Sequence, residues 1–149
     1  MVADLAAEAL FGESSELYLR LYEEGLIDSS FGGGFETVDG CARLMCSGDS
    51  DQPYAVREAI LEQAAKIAGD GLDEQSFQRM KRSAFGRRIR GLDSFDATCF
   101  RLCAYHFSDF DYFRFTEVYR SIEANEICGF LNRVVKEDRC SLSIINPIV

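Results

Sequence analysis

The stretch Ser30-Phe31-Gly32-Gly33-Gly34-Phe35-Glu36-Thr37-Val38-Asp39-Gly40-Cys41-Ala42-Arg43-Leu44-Met45-Cys46 decides the fold class. Residues 30–38 read as a strand with a glycine-weakened middle. Asp39-Gly40 reads as a hairpin turn, because two-residue turns need the positive φ that glycine takes without strain. Ala42 to Cys46 is then the return strand. Three successive glycines mark a bulge or a close backbone approach. A phosphate cradle fits less well, because no helix N-terminus follows them directly.

Working outward, both flanks switch to helical spacing. Upstream, residues 3–11 are rich in helix formers, with Leu5, Ala6, Ala9 and Leu10 on one face. Gly12 interrupts them. Ser14 offers an N-cap for a second helix over 15–24, with Leu17, Leu21 and Tyr18 inward, and Gly25 suits its end. Downstream, Pro53 fits a first helical turn, and Val56, Ile60, Ala64 and Ile67 recur every three to four residues until Gly69 and Gly71. Asp73 can cap the next helix, with Phe77, Met80, Ala84, Phe85 and Ile89 inward. Asp93-Ser94-Phe95-Asp96 resembles a capping arrangement for a third helix. Its expected inner stripe is Phe95, Cys99, Leu102, Cys103 and His106. The aromatic-rich segment 107–119 reads as a loop plus a short helix. A further long helix spans about 124–135, with Ile127, Phe130, Leu131 and Val134 inward. Arg139 to Ile145 reads as a final strand with Cys140, Leu142 and Ile144 on one face, ended by Pro147. The expected class is therefore α+β, a small antiparallel sheet with helices on one face, in the order α-α-β-β-α-α-α-α-β. No linker, repeat or low-complexity segment divides residues 1–149, so one domain is expected.

The chain has 149 residues, 47% of them apolar, and a net charge of −9. This suits one packed core and argues against general nucleic-acid or anionic-membrane binding. No apolar run reaches the ~18–20 residues of a membrane span. The N-terminus carries Asp4 and no basic region, unlike a signal peptide. Six cysteines, at 41, 46, 99, 103, 128 and 140, sit mostly among apolar neighbours and form no CxxC pair. The expectation is reduced, buried thiols in a cytoplasmic protein.

Four constellations could carry chemistry. Cys99, Cys103 and His106 share a helix face as zinc ligands would, or form a core stripe. Arg79, Lys81, Arg82, Arg87, Arg88 and Arg90 place six cations in twelve positions, for phosphate contact or as a solvated face turned to an acidic partner. Glu23-Glu24 and Asp109-x-Asp111 are carboxylate pairs with no nucleophile beside them in sequence. Phe107, Phe110, Tyr112, Phe113 and Phe115 could bind a peptide or sister domain, or fill the core. There is one histidine, and HxxEH, GxSxG, GxGxxG and phosphate-binding loops are all absent from the sequence. On the residues alone, no catalytic or metal site is expected in this chain.

Several blocks, read together, resemble a known family. Leu10-Phe11-Gly12-Glu13-Ser14-Ser15-Glu16-Leu17-Tyr18, followed by Leu21-Tyr22-Glu23-Glu24-Gly25-Leu26-Ile27, is similar to a block in the C-terminal half of insulinase/pitrilysin/mitochondrial-processing-peptidase zinc peptidases. Gly71-Leu72-Asp73-Glu74-Gln75-Ser76-Phe77-Gln78-Arg79-Met80-Lys81 looks like a helix start of the same family. Glu137 to Pro147 resembles the terminal strand of its bacterial, YmfH-type branch.

The resemblance implies a LuxS/MPP-like half-domain from the non-catalytic C-terminal half of a larger two-half protein. In active relatives HxxEH and zinc belong to the N-terminal half, and the second half walls a peptide chamber. The implied partners are that N-terminal half or a sister chain, with an extended peptide as substrate. No cofactor is implied in this chain, and no peptidase activity on its own. Relatives often offer substrate an Arg and, seven residues on, a Tyr. Aligned on Gly25, those positions hold Leu21 and Asp28, with Arg20 and Tyr22 out of step, so no substrate-binding residue carries over. The alternative is a stand-alone protein- or nucleic-acid-interaction module built on 79–90 or 107–119.

Overall fold

A computed structural model describes residues 1–38 and 40–147. The core is organised around the first helix, α1 (Val2–Phe11), whose Leu5, Ala6 and Leu10 are fully buried. Ala3, Ala6 and Ala7 keep its surface low, so neighbours approach closely. The helix touches α2 (Glu16–Glu23), α3 (Pro53–Asp70), α4 (Glu74–Arg90), α7 (Ala124–Val134) and the hairpin. Burying a leucine stabilises by ~1.5–3 kcal/mol, so Leu5 and Leu10 together contribute ~3–6 kcal/mol.

The join between α1 and α2 is local chemistry. Ser15, not Ser14, is the N-cap. Its hydroxyl accepts from the Tyr18 amide at 3.1 Å and donates to the Leu10 carbonyl at 3.1 Å. Gly25 ends α2 at φ +69°, as expected. The Leu26 amide reaches back to the Leu21 carbonyl and Gly25 to Tyr22, a Schellman ending that needs a left-handed residue at this point.

The two strands are β1 (Gly32–Val38) and β2 (Cys41–Ser47), antiparallel, with Phe35 opposite Leu44 and Glu36 opposite Arg43. Gly40 takes φ +78°, and Asp39 of the expected turn lies outside the described residues. One face carries Gly33, Cys46, Phe35 and Leu44 toward the helices. A Cβ on Gly33 would stand 2.6 Å from the Phe11 ring and 2.6 Å from the Met45 carbonyl. The glycine run is thus read out as a close approach at Gly33, while Gly32 and Gly34 face open space.

The remaining helices are α5 (Phe95–His106) and α6 (Phe115–Ser121), with one-turn 3-10 segments at Gly91–Asp93, Tyr112–Arg114 and Glu137–Arg139. Asp73 and Ser94 cap α4 and α5 through their side chains. The class is α+β, as expected, but three expectations are corrected. First, residues 140–147 join no strand. The hairpin is a two-stranded sheet, and a strand without a hydrogen-bonded neighbour is not held. Second, α5 is rotated: Phe95 is 80% exposed and Cys103 and His106 are exposed. Leu102 packs on the core as expected, but Tyr105 joins it in place of Cys103 and His106, because its ring buries more area and its hydroxyl finds Arg88. Third, none of the six free thiols is fully buried. Cys41 and Cys103 are exposed and the other four half-buried.

Candidate functional site

The zinc-ligand alternative for Cys99, Cys103 and His106 does not assemble. Cys99 is half-buried, whereas Cys103 and His106 face outward, and no group of three or more metal-type ligands occurs among the described residues. Cys103, His106, Asp109 and Asp111 do meet, with Tyr112, around a shallow cleft of about 600 Å³ beside the end of α5. Asp111 is spent on structure, accepting from the Phe113 amide at 3.0 Å to cap the next turn. Glu23 and Glu24 are exposed at the end of α2. Cys103 and His106 line the same cleft as Asp109 and Asp111, but among the described residues no side-chain hydrogen bond or ion pair joins the thiol or the imidazole to either carboxylate.

The basic cluster divides in two. Lys81 Nζ donates to the carbonyls of Arg120 (3.0 Å) and Ile122 (2.7 Å), tying α4 to the end of α6. Arg87 pairs with Glu8 at 2.8 Å and Arg88 with Asp4 at 3.3 Å, tying α4 to α1. Arg79, Arg82 and Arg90 remain on the surface.

Sequence reasoning missed the polar knot around Arg88. Its guanidinium also donates to the Tyr105 hydroxyl at 3.1 Å and lies 5.7 Å over the Tyr119 ring. Burial pulls the Arg88 pKa down, but the bond to Tyr105, Tyr119 and the charge of Asp4 outweigh it, and the net shift is upward. Burial raises Tyr119, partly offset by Arg88. No local signal could have found this knot, since Asp4 and Arg88 stand 84 positions apart.

The aromatic segment splits between both readings. Tyr112 and Phe115 are buried, their rings 5.3 Å apart, and Phe115 continues to Phe85 at 6.0 Å. Phe107 and Phe113 are exposed, and with Phe95 and Phe100 they leave α5 and its following loop an apolar outer surface. The positions aligned with a relative's substrate Arg and Tyr point elsewhere. Leu21 is core, and Asp28 accepts from the Ser30 amide (2.8 Å) and hydroxyl, which hold its carboxyl below the usual range. Arg20 and Tyr22 are exposed, Tyr22 stacked on Tyr18.

What the chain presents, then, is surface. The hairpin is a sheet of two strands, so each has one side without a strand neighbour among the described residues. A row of unpaired backbone donors and acceptors there can take an added strand.

The model of a family domain described as the peptidase M16 inactive domain matches residues 1–84. An uncharacterised zinc protease, YmfH, of Bacillus subtilis (strain 168) is 26% identical over 144 residues, covering 97% of this chain and 33% of that protein. A solved structure of an M16-like protein from Alicyclobacillus acidocaldarius superposes with a TM-score of 0.83 at 22% identity, over 93% of this chain and 33% of that one. A protease from Helicobacter pylori superposes with a TM-score of 0.74 at 14% identity, over 93% of this chain and 35% of that one. The two structures establish the shared fold. The chain spans about a third of the length of each of these relatives.

Proposed function

The chain belongs to the peptidase M16 family, as an inactive C-terminal domain of a zinc protease-like protein, and from that premise we propose that it walls a peptide chamber. Its partner in that chamber is the catalytic N-terminal half of the same protein, or a sister chain. Zinc and the HxxEH motif belong to that partner. This chain's work is to bind and orient an extended peptide, with the hairpin edges offering main-chain hydrogen bonds and the exposed α5 surface offering apolar contact to the partner.

The observation that carries the reading is the match to an inactive domain by a chain with no HxxEH. Support comes from the wealth of outward apolar side chains, which a chain built to stand alone would tend to bury. A cytoplasmic setting is part of this proposal and rests on six cysteines that form no CxxC pair. Among the described residues no helix is long and apolar enough to cross a membrane.

The test is an incubation of the purified chain with zinc and an unfolded, fluorescence-quenched peptide. The reading expects saturable peptide binding, no cleavage, and zinc well below one per chain. Chelator-sensitive cleavage by the chain alone would overturn it.

A further inference from the structure

Helix α4 carries six basic residues and a single acid, in a chain of net charge −9. Three of those cations, Lys81, Arg87 and Arg88, bind α4 to the rest of the fold. The other three do not. Arg79, Arg82, Gly86, Ile89 and Arg90 recur at helical spacing, so they form one stripe along the outer side. Arg82 and Arg90 are exposed and make no ion pair or side-chain hydrogen bond among the described residues, and Arg79 reaches only the Ser76 hydroxyl at 3.3 Å. The helix dipole favours a cation in the last turn, which accounts for Arg90 but not for Arg79 and Arg82 further back.

Two further features extend the stripe. Arg101 of α5 lays its guanidinium over Gly91, 2.5 Å from where a Cβ would stand, with Nη1 enclosed and lacking a hydrogen-bond partner. Gly86 weakens the middle of the helix, yet nothing in this chain occupies the space at its Cβ. Ile89 (41% exposed) adds apolar area within the stripe. The result is a cationic strip with a low point at its centre and one apolar shoulder.

We propose that this strip docks an acidic segment of another polypeptide. Carboxylates would meet Arg82 and Arg90 through paired N–H···O bonds, and an apolar side chain would sit over Gly86 against Ile89. A protein is favoured over nucleic acid because the chain as a whole repels a phosphate backbone, and Asp93 and Asp96 flank the strip. The inference is independent of peptide binding at the hairpin.

Fluorescence anisotropy with the whole chain tests it. The probes are a labelled Glu-rich helical peptide with one leucine per turn, the same peptide with Gln for Glu, and single-stranded DNA of matched charge. The acidic peptide should bind best, and its affinity should fall about tenfold between ~50 and ~300 mM salt. R82Q/R90Q should lower that affinity at least about tenfold with an unchanged melting curve, because two charge-assisted contacts are lost. R20Q, on α2, should not. Binding of DNA as tight as that of the peptide, indifference to R82Q/R90Q, or no binding of the acidic peptide at low salt would each overturn the proposal.

Discussion

Replacing Gly33 by Ala should loosen the seam between hairpin and core far more than the same change one residue to either side. The added methyl meets the Phe11 ring at 2.6 and 2.8 Å and the Met45 carbonyl oxygen at 2.6 Å. The carbonyl belongs to the paired strand and cannot swing away. Phe11 is itself buried against Phe31, ring centres 6.3 Å apart, so it has little room to yield. Overpacking of this kind costs ~1–3 kcal/mol, and contact with backbone argues for the upper part of that range. Alanine returns ~0.4–1 kcal/mol by restricting the unfolded chain, since no positive φ is required here. The net loss is ~2 kcal/mol, or a fall of ~4–8 °C in Tm for a chain of this size. Gly32→Ala and Gly34→Ala meet nothing within 4 Å and should be neutral or slightly stabilising. Thermal unfolding followed by circular dichroism, with all three variants side by side, decides the matter. Equal stability of the three variants would refute the close-approach reading of the glycine run.

Other consequences follow from the caps and charges. Ser15→Ala should cost ~1–2 kcal/mol in urea unfolding, because the cap also holds the Leu10 carbonyl, whereas Ser14→Ala should stay within ~0.5 kcal/mol. Arg88→Met should cost ~1–3 kcal/mol, since it leaves Asp4 and the Tyr105 hydroxyl without their partner. A double-mutant cycle with Asp4→Asn should show positive coupling, and strict additivity would deny the pair. Glu16 has its pKa lowered from 4.5, chiefly by hydrogen bonds from Lys66 and Gln63. Its contribution is therefore present above its unfolded pKa and lost as pH falls through the lower folded value. Stability curves of wild type and Glu16→Gln should converge in acid below that window, and a constant gap across it would sink the assignment.

Much of this fold was legible because its signals are local. Gly25 after Tyr22-Glu23-Glu24, Pro53 at a helix start, Asp73 and Ser94 before apolar spacing, and Gly40 between alternating residues each act within a few positions. Element positions, and most helix faces, could be read from them. What failed depended on distant partners. The spacing puts Phe95, Cys99, Leu102, Cys103 and His106 on the inner face of α5; Leu102 is there, but Tyr105 is drawn inward by Arg88 on another helix. The alternation of Cys140, Leu142 and Ile144 is a genuine strand pattern, yet a ladder needs a second strand, and the hairpin does not pair with it. The polar knot of Asp4, Arg88, Tyr105 and Tyr119 has no sequence signature because packing alone brings it together. The basic cluster of α4 is legible as composition, but which of its cations are free is not, because Arg87 and Arg88 pair with Glu8 and Asp4 of a distant helix while Arg82 and Arg90 stay exposed.

The central claim is that this inactive domain binds extended peptide without cleaving it. Hydrogen–deuterium exchange of the chain, free and saturated with an unfolded peptide, tests that most directly. The account predicts intact peptide and slowed amide exchange concentrated in Gly32–Val38 and Cys41–Ser47. Cleaved peptide, or no added protection anywhere in the hairpin, would contradict it.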